Sequence, residues 1–123
     1  MPNPIFHFEI PVTDMDRAVA FYHAIFGVEF SRQTIDGYDM AFFPRDSKAP
    51  GASGALAKGD VYKPTHDGCI LYFVVDDIDQ VIEKAQKLGA QILYPKTDVG
   101  SGGFVAEIED SEGNRIALNM MKS

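Results

Sequence analysis

The sequence holds a single cysteine, Cys69, in 123 residues, so no disulfide can form within the chain and a reducing, cytoplasmic setting is the expectation. Basic residues are also scarce: 11 Lys and Arg stand against 18 Asp and Glu, a formal charge of −7 at pH 7. Such a chain lacks the positive footprint that nucleic acid or an anionic membrane surface requires, and neither is expected as a partner. No run of about 18 apolar residues is present, which excludes a membrane-spanning helix. The opening Met1-Pro2-Asn3-Pro4 has no basic stretch followed by an apolar one and does not read as a secretory leader. No Ser-His-Asp or Cys-His arrangement can be placed. Gly100-Ser101-Gly102-Gly103 has no helix start after it, so it reads as a flexible loop and not as a phosphate cradle. Cys69, between Gly68 and Ile70, reads as a core residue. What remains is ordinary for a folded domain, with 46% hydrophobic residues and a length near the commonest domain size.

An internal repeat organises the chain. Val12-Thr13-Asp14-Met15-Asp16 and Val75-Asp76-Asp77-Ile78-Asp79 align at a spacing of 63 residues. Each opens a helical pattern: Met15, Ala18, Val19, Tyr22, Ile25 and Phe26 in the first, and Ile78, Val81, Ile82, Ala85 and Leu88 in the second, recur at i, i+3, i+4, i+7. Thr13 and Asp76 each stand three residues before an Asp, which favours a helix start, and Gly27 and Gly89 supply the stop.

The preceding strands match as well. Phe6, Phe8, Ile10 and Val12 alternate on one face, and Cys69, Leu71, Phe73 and Val75 stand 63 residues on. Three further strands are expected after each helix, at 29–34, 38–43 and 53–58, then at 91–95, 103–109 and 115–120, with Asp110-Ser111-Glu112-Gly113-Asn114 as a turn. Ala55-Leu56 and Ala117-Leu118 pair at a spacing of 62. The stretches 44–53 and 59–68 read as loops. The whole chain, 1–123, is therefore one α+β domain of two tandem βαβββ modules at about 4–58 and 69–120. Packed side by side, they would form a curved mixed sheet around a pocket.

The run His7-Phe8-Glu9-Ile10-Pro11-Val12-Thr13-Asp14, followed by Asp16-Arg17-Ala18, Phe21-Tyr22 and Gly27, resembles the opening of a vicinal oxygen chelate (glyoxalase/bleomycin-resistance/dioxygenase) protein. Val75-Asp76-Asp77-Ile78-Asp79 and Asp110-Ser111-Glu112-Gly113-Asn114-Arg115-Ile116 are similar to that superfamily's second module, and the small stand-alone lactoylglutathione-lyase-related proteins are the subgroup most resembled. The resemblance implies, in metal-dependent members, one divalent ion held by His and Glu from four strands. Carried over residue by residue, those positions fall on His7, Ala55, Ile70 and Ala117. Ala and Ile supply no donor, so no metal is expected at the family position, and no other cofactor is implied.

By parity, His7 and Glu9 share the face opposite Phe8 and Ile10, and their repeat mates are Ile70 and Tyr72. An imidazole, a carboxylate and a phenol among apolar groups suit a small-molecule site, with His7 and Glu9 as candidate acid and base. The same pair could equally form a solvated contact on an unused face. Arg115 and Asn119 alternate with Ile116 and Leu118 and are expected near the rim of the pocket. The parity of Tyr38, Met40, Phe42 and Phe43 stays open, Glu107 faces either water or the cavity, and His23 and His66 read as surface residues. Phe21 and Phe30 look exposed and, with open sheet edges, suggest a homodimer. Two functions stand open: a metal-independent binder of small molecules, or a lyase, isomerase or dioxygenase of the glyoxalase type, either through acid–base chemistry or through a metal in another ligand set. An accessory domain for a partner chain is a third.

Overall fold

Strands and helices follow one another in the order that the repeat predicts. The computed structural model describes residues 3–122; Met1 and Pro2, part of the opening read for a leader, lie outside them. The first module runs β1 (His7–Val12), α1 (Met15–Phe26), β2 (Ser31–Ile35), β3 (Tyr38–Phe42) and β4 (Ser53–Lys58). The second runs β5 (Tyr72–Val74), α2 (Ile78–Lys87), β6 (Ile92–Asp98), β7 (Phe104–Glu109) and β8 (Arg115–Met120). Each module makes its own four-stranded sheet, in order β1-β4-β3-β2 and β5-β8-β7-β6, with the first and last strands of the module parallel and the rest antiparallel. No helix among the described residues is long and apolar enough to cross a membrane.

Asp14 and Asp77 are the N-caps, each extended in backbone, and their carboxylates accept from the amides of Arg17 (3.0 Å) and Gln80 (3.2 Å). Gly27 closes α1 at φ 70°, a left-handed conformation that costs a side-chain-bearing residue energy.

One core joins both modules. Helix α1 buries Met15, Ala18, Phe21, Tyr22 and Ile25, and α2 buries Ile78, Val81 and Ala85, against Ile10 and Leu56 of one sheet and Ile108, Ile116 and Leu118 of the other. Phe21 is therefore a core residue and not exposed, because it lies on the helix stripe beside Tyr22. Phe30 is partly buried against Phe43, with ring centroids 4.7 Å apart. Phe6 precedes β1 and is exposed. Cys69 is exposed too. The reason lies in its anchors: Thr65 accepts from the Arg115 amide (3.3 Å) and Leu71 from the Ala117 amide (2.9 Å), so residues 66–70 loop outward between two fixed points.

A buried polar junction ties the turn at 110–114 to the first module. The Tyr22 hydroxyl donates to Asp110 (2.6 Å), whose carboxylate also accepts from the Glu112 and Asn114 amides and the Asn114 side chain. Asn114 in turn donates to the Pro11 carbonyl and accepts from the Thr65 amide. Burial, then the Asp110 carboxylate, pushes the Tyr22 phenol well above its ordinary pKa. Glu112 reaches the start of α1, accepting from the amides of Thr13 and Asp14 (2.9 Å each) and from Arg17 Nε (2.7 Å). Its side chain exposes no surface, although only a thin layer of atoms covers it. Burial pushes its carboxyl up, but the hydrogen bonds from Arg17, from the Asp14 and Thr13 amides and from Ser111 outweigh that and hold the pKa at about 2.

Candidate functional site

The registers settle which residues share the face of each sheet turned away from the helices. On the first sheet Glu9 stands opposite Ala55, Ala55 opposite Phe42, and Ala57 opposite Met40, so His7, Glu9, Tyr38, Met40, Phe42, Ala55 and Ala57 share that face. The parity left open for β3 is thereby fixed, with Phe43 on the core side. Met40, Ala55 and Ala57 form a small buried apolar floor of their own, flanked by Tyr38, Phe42 and Tyr62.

Over this floor the polar groups meet. His7 Nε2 lies 3.5 Å from Glu9 Oε2, and the Tyr62 hydroxyl donates to Glu9 Oε1 at 2.7 Å. The hydrogen bond to Glu9, followed by burial, raises the Tyr62 phenol above its ordinary range. Both His7 and Glu9 stay about one-third exposed, so a molecule arriving from solvent can reach them. Tyr62 comes from the connection between the modules, which the sequence shows only as a loop. A turn from the Gly59 carbonyl to the Tyr62 amide brings it in, and its ring meets Tyr38 edge-on at 5.5 Å. Gly59 is required for this meeting: a Cβ there would stand 2.2 Å from the Tyr38 ring. Tyr62 has no counterpart that the repeat could reveal, and the Gly59-Asp60 turn signal beside an aromatic is the only trace it leaves in the sequence.

The other expected site residues lie on the second sheet. Tyr72 is opposite Ala117 and is exposed, and Arg115, Ala117 and Asn119 share its face. Arg115 is paired with Glu107, which answers where that carboxylate points. Asn119 donates to the carbonyl of Gly102 (3.0 Å), tying down a short 3-10 turn at Gly100–Gly102 where a flexible loop is expected. His66 is half-exposed against Glu109 (2.7 Å), and His23 sits at the end of α1 against the Val28 carbonyl. Among the described residues, no hydrogen bond or ion pair joins His7 or Glu9 to Tyr72, Arg115 or Asn119. The structure brings the five residues together as two groups, one on each sheet.

The model of the glyoxalase/bleomycin resistance protein/dioxygenase superfamily matches residues 5–118. The chain belongs to that superfamily. Its glyoxalase-type relatives include CFP32 of Mycobacterium bovis, which carries a glyoxylase name and is 27% identical over 114 residues, covering 89% of this chain and 42% of the relative. The chain thus spans less than half the length of that relative. A glyoxylase-like domain-containing protein of Didymella fabae is 33% identical over 117 residues, covering 89% of this chain and 88% of the other. In solved structures the same fold recurs in a glyoxylase/bleomycin resistance protein/dioxygenase domain from Frankia sp. EAN1pec, at TM-score 0.76 and 20% identity, over 99% of this chain and all of that one.

The superfamily resemblance implies a divalent metal at positions that are here His7, Ala55, Ile70 and Ala117, and the side chains present do not fit one. Ala55 and Ala117 are wholly buried methyl groups, directly opposite Glu9 and Tyr72. Ile70 offers only hydrocarbon. His7 alone supplies a donor, and among the described residues no group of three or more His, Cys, Asp or Glu side chains is placed to hold an ion.

Proposed function

We propose that this glyoxalase-superfamily protein binds a small organic molecule over the floor of Met40, Ala55 and Ala57, without a metal, and with His7, Glu9 and Tyr62 as its polar contacts. The observation that carries this reading is the three-residue contact itself. Glu9 is held by the Tyr62 hydroxyl at 2.7 Å while its other oxygen faces His7 at 3.5 Å, above apolar side chains and within reach of solvent. Apolar walls with a few fixed polar groups are the usual form of a small-molecule site.

The same contact supports acid–base chemistry as the second reading. A carboxylate held by a phenol and facing an imidazole can take a proton from a bound substrate and return it elsewhere, the pattern of a lyase or isomerase. Turnover separates the two readings; metal content separates either from a metal-dependent enzyme. One equivalent of zinc, nickel, iron or manganese after purification without chelators would overturn the metal-free site.

The protein is proposed to act as a homodimer in a reducing, cytoplasmic compartment, to which an exposed lone thiol is suited. Val74 is 79% exposed and Tyr72 55% exposed on the outer face of the second sheet, apolar surface that a two-fold partner would cover. A pairing that set one copy's first sheet against its partner's second would bring Tyr72, Arg115 and Asn119 to His7 and Glu9. Sedimentation at micromolar concentration that gave only a 13.5 kDa species would remove the dimer from the proposal.

A further inference from the structure

Away from His7 and Glu9, a groove of about 540 Å³ opens at the seam of the two modules, between the 44–53 loop and β5. Its inner wall is the aromatic end of the core, Phe8, Phe43 and Phe73 with Leu71, and Arg45 stands at its edge. The volume is that of a site for a drug-sized ligand, and the wall is hydrocarbon.

Arg45 is unlike the other arginines. Arg17 is paired with Glu112, Arg32 with Asp16 and Asp39, and Arg115 with Glu107. Arg45 has no carboxylate partner among the described residues, in a chain of net charge −7. Instead its Nη2 donates to the carbonyls of Phe6 (3.2 Å) and Ser53 (3.4 Å), and its guanidinium lies over the Phe6 ring at 4.6 Å. These contacts hold the head group in place and leave Nε and Nη1 unbonded among the described residues. The neighbouring Asp46 also lines the groove but forms no ion pair with Arg45; its carboxylate accepts from the Lys48 amide within its own turn. A fixed, unpaired guanidinium beside an apolar cleft matches a hydrocarbon that ends in a carboxylate, because Nε and Nη1 each still offer a charged N–H donor to a carboxylate oxygen.

We infer that the seam groove is a second ligand site, for a small amphipathic anion whose hydrocarbon lies against Phe8, Phe43 and Phe73 and whose carboxylate pairs with Arg45. The site is separate from the proposed His7–Glu9–Tyr62 site and does not depend on it.

The experiment titrates the protein of residues 1–123, in its native oligomeric state at pH 7, with 4-phenylbutanoate and with 4-phenylbutan-1-ol, which share the hydrocarbon and differ in the charge. Amide NMR shifts report the location. The acid is expected to bind at least about tenfold more tightly than the alcohol, with shifts at Phe8, Phe43, Phe73 and Arg45. Arg45→Gln should abolish that preference and leave alcohol binding unchanged, Arg45→Lys should keep part of it, and Ala49→Trp, which fills the groove, should block both ligands. Equal binding of acid and alcohol, an undiminished preference in Arg45→Gln, no binding of either, or shifts confined to His7, Glu9 and Tyr62 would each overturn the inference. A groove closed by a second copy of the chain would show as no binding to the dimer, and counts against it equally.

Discussion

Phe26 of the first module and Phe73 of the second stack with ring centroids 4.7 Å apart and planes 25° apart. Phe73 also meets Tyr22, Phe43 and Phe8 at 6.2, 5.8 and 6.2 Å. A single side chain from β5 therefore sits inside an aromatic cluster otherwise built by the first module. Phe73 is partly buried, so Phe73→Ala should cost about 1.5–3 kcal/mol, the loss of its contacts with four rings at the edge of the core. Urea denaturation measures it; a loss under about 1 kcal/mol would mean that the modules are held by something other than this cluster.

The first sheet allows a sharper test of face assignment. Ile10 is buried at the core and should cost about 2–5 kcal/mol when replaced by Ala. His7→Ala, on the opposite face and one-third exposed, should cost under about 1 kcal/mol and impair ligand binding instead. If the two variants unfold alike, the site proposal fails with them.

Glu112 makes stability depend on acid. Its carboxyl lies at about 2 in the folded protein against an ordinary 4.5, so its contribution is fully present above about 4.5 and is lost as pH falls through the window between the two. Glu112→Gln should lose about 1–3 kcal/mol at pH 7, as expected for hydrogen bonds to a charged group. The difference between variant and parent should then shrink between pH 4.5 and 2, measured by denaturation at each pH. A constant difference across that window would mean that Arg17 and the two amides do not hold the charge.

Tyr62 should titrate above its ordinary pKa because Glu9 accepts its proton's hydrogen bond. In Glu9→Gln, which removes the charge, the Tyr62 ring signal in NMR should move back toward 10.0. Tyr62→Phe should change stability by under about 1 kcal/mol, with its effect seen in ligand affinity. An unshifted Tyr62 in the parent protein would break the contact on which the proposed function rests.

Both modules were legible because the fold repeats its apolar pattern. Period two at Phe8, Ile10 and Val12 and period 3.6 at Met15, Ala18, Tyr22 and Ile25 record which side of each element meets the core, and β4 and β8 fall on the expected residues. The record fails at the outer end of the repeated strands, where Phe6 and its mate Cys69 are both exposed, and is silent outside the repeat. Cys69 looks apolar and is exposed because two distant backbone hydrogen bonds set the path of its loop. Tyr62 reaches Glu9 across 53 positions through a turn, a contact that no local period encodes. The grouping of His7 with Glu9, but not with Tyr72, depends on how two sheets are set against each other, and alternation along a strand carries no information about that.

The turn at 110–114 has a further consequence during synthesis. A chain translated only through β4 already contains Tyr22 and the start of α1, but lacks both Asp110, which accepts from the Tyr22 hydroxyl, and Glu112, which accepts from the Thr13 and Asp14 amides. Its first βαβββ unit then has a phenol with no buried acceptor and a helix end without its long-range anchor. A chain ended after Lys58 should be open to protease along α1, where the whole chain is protected.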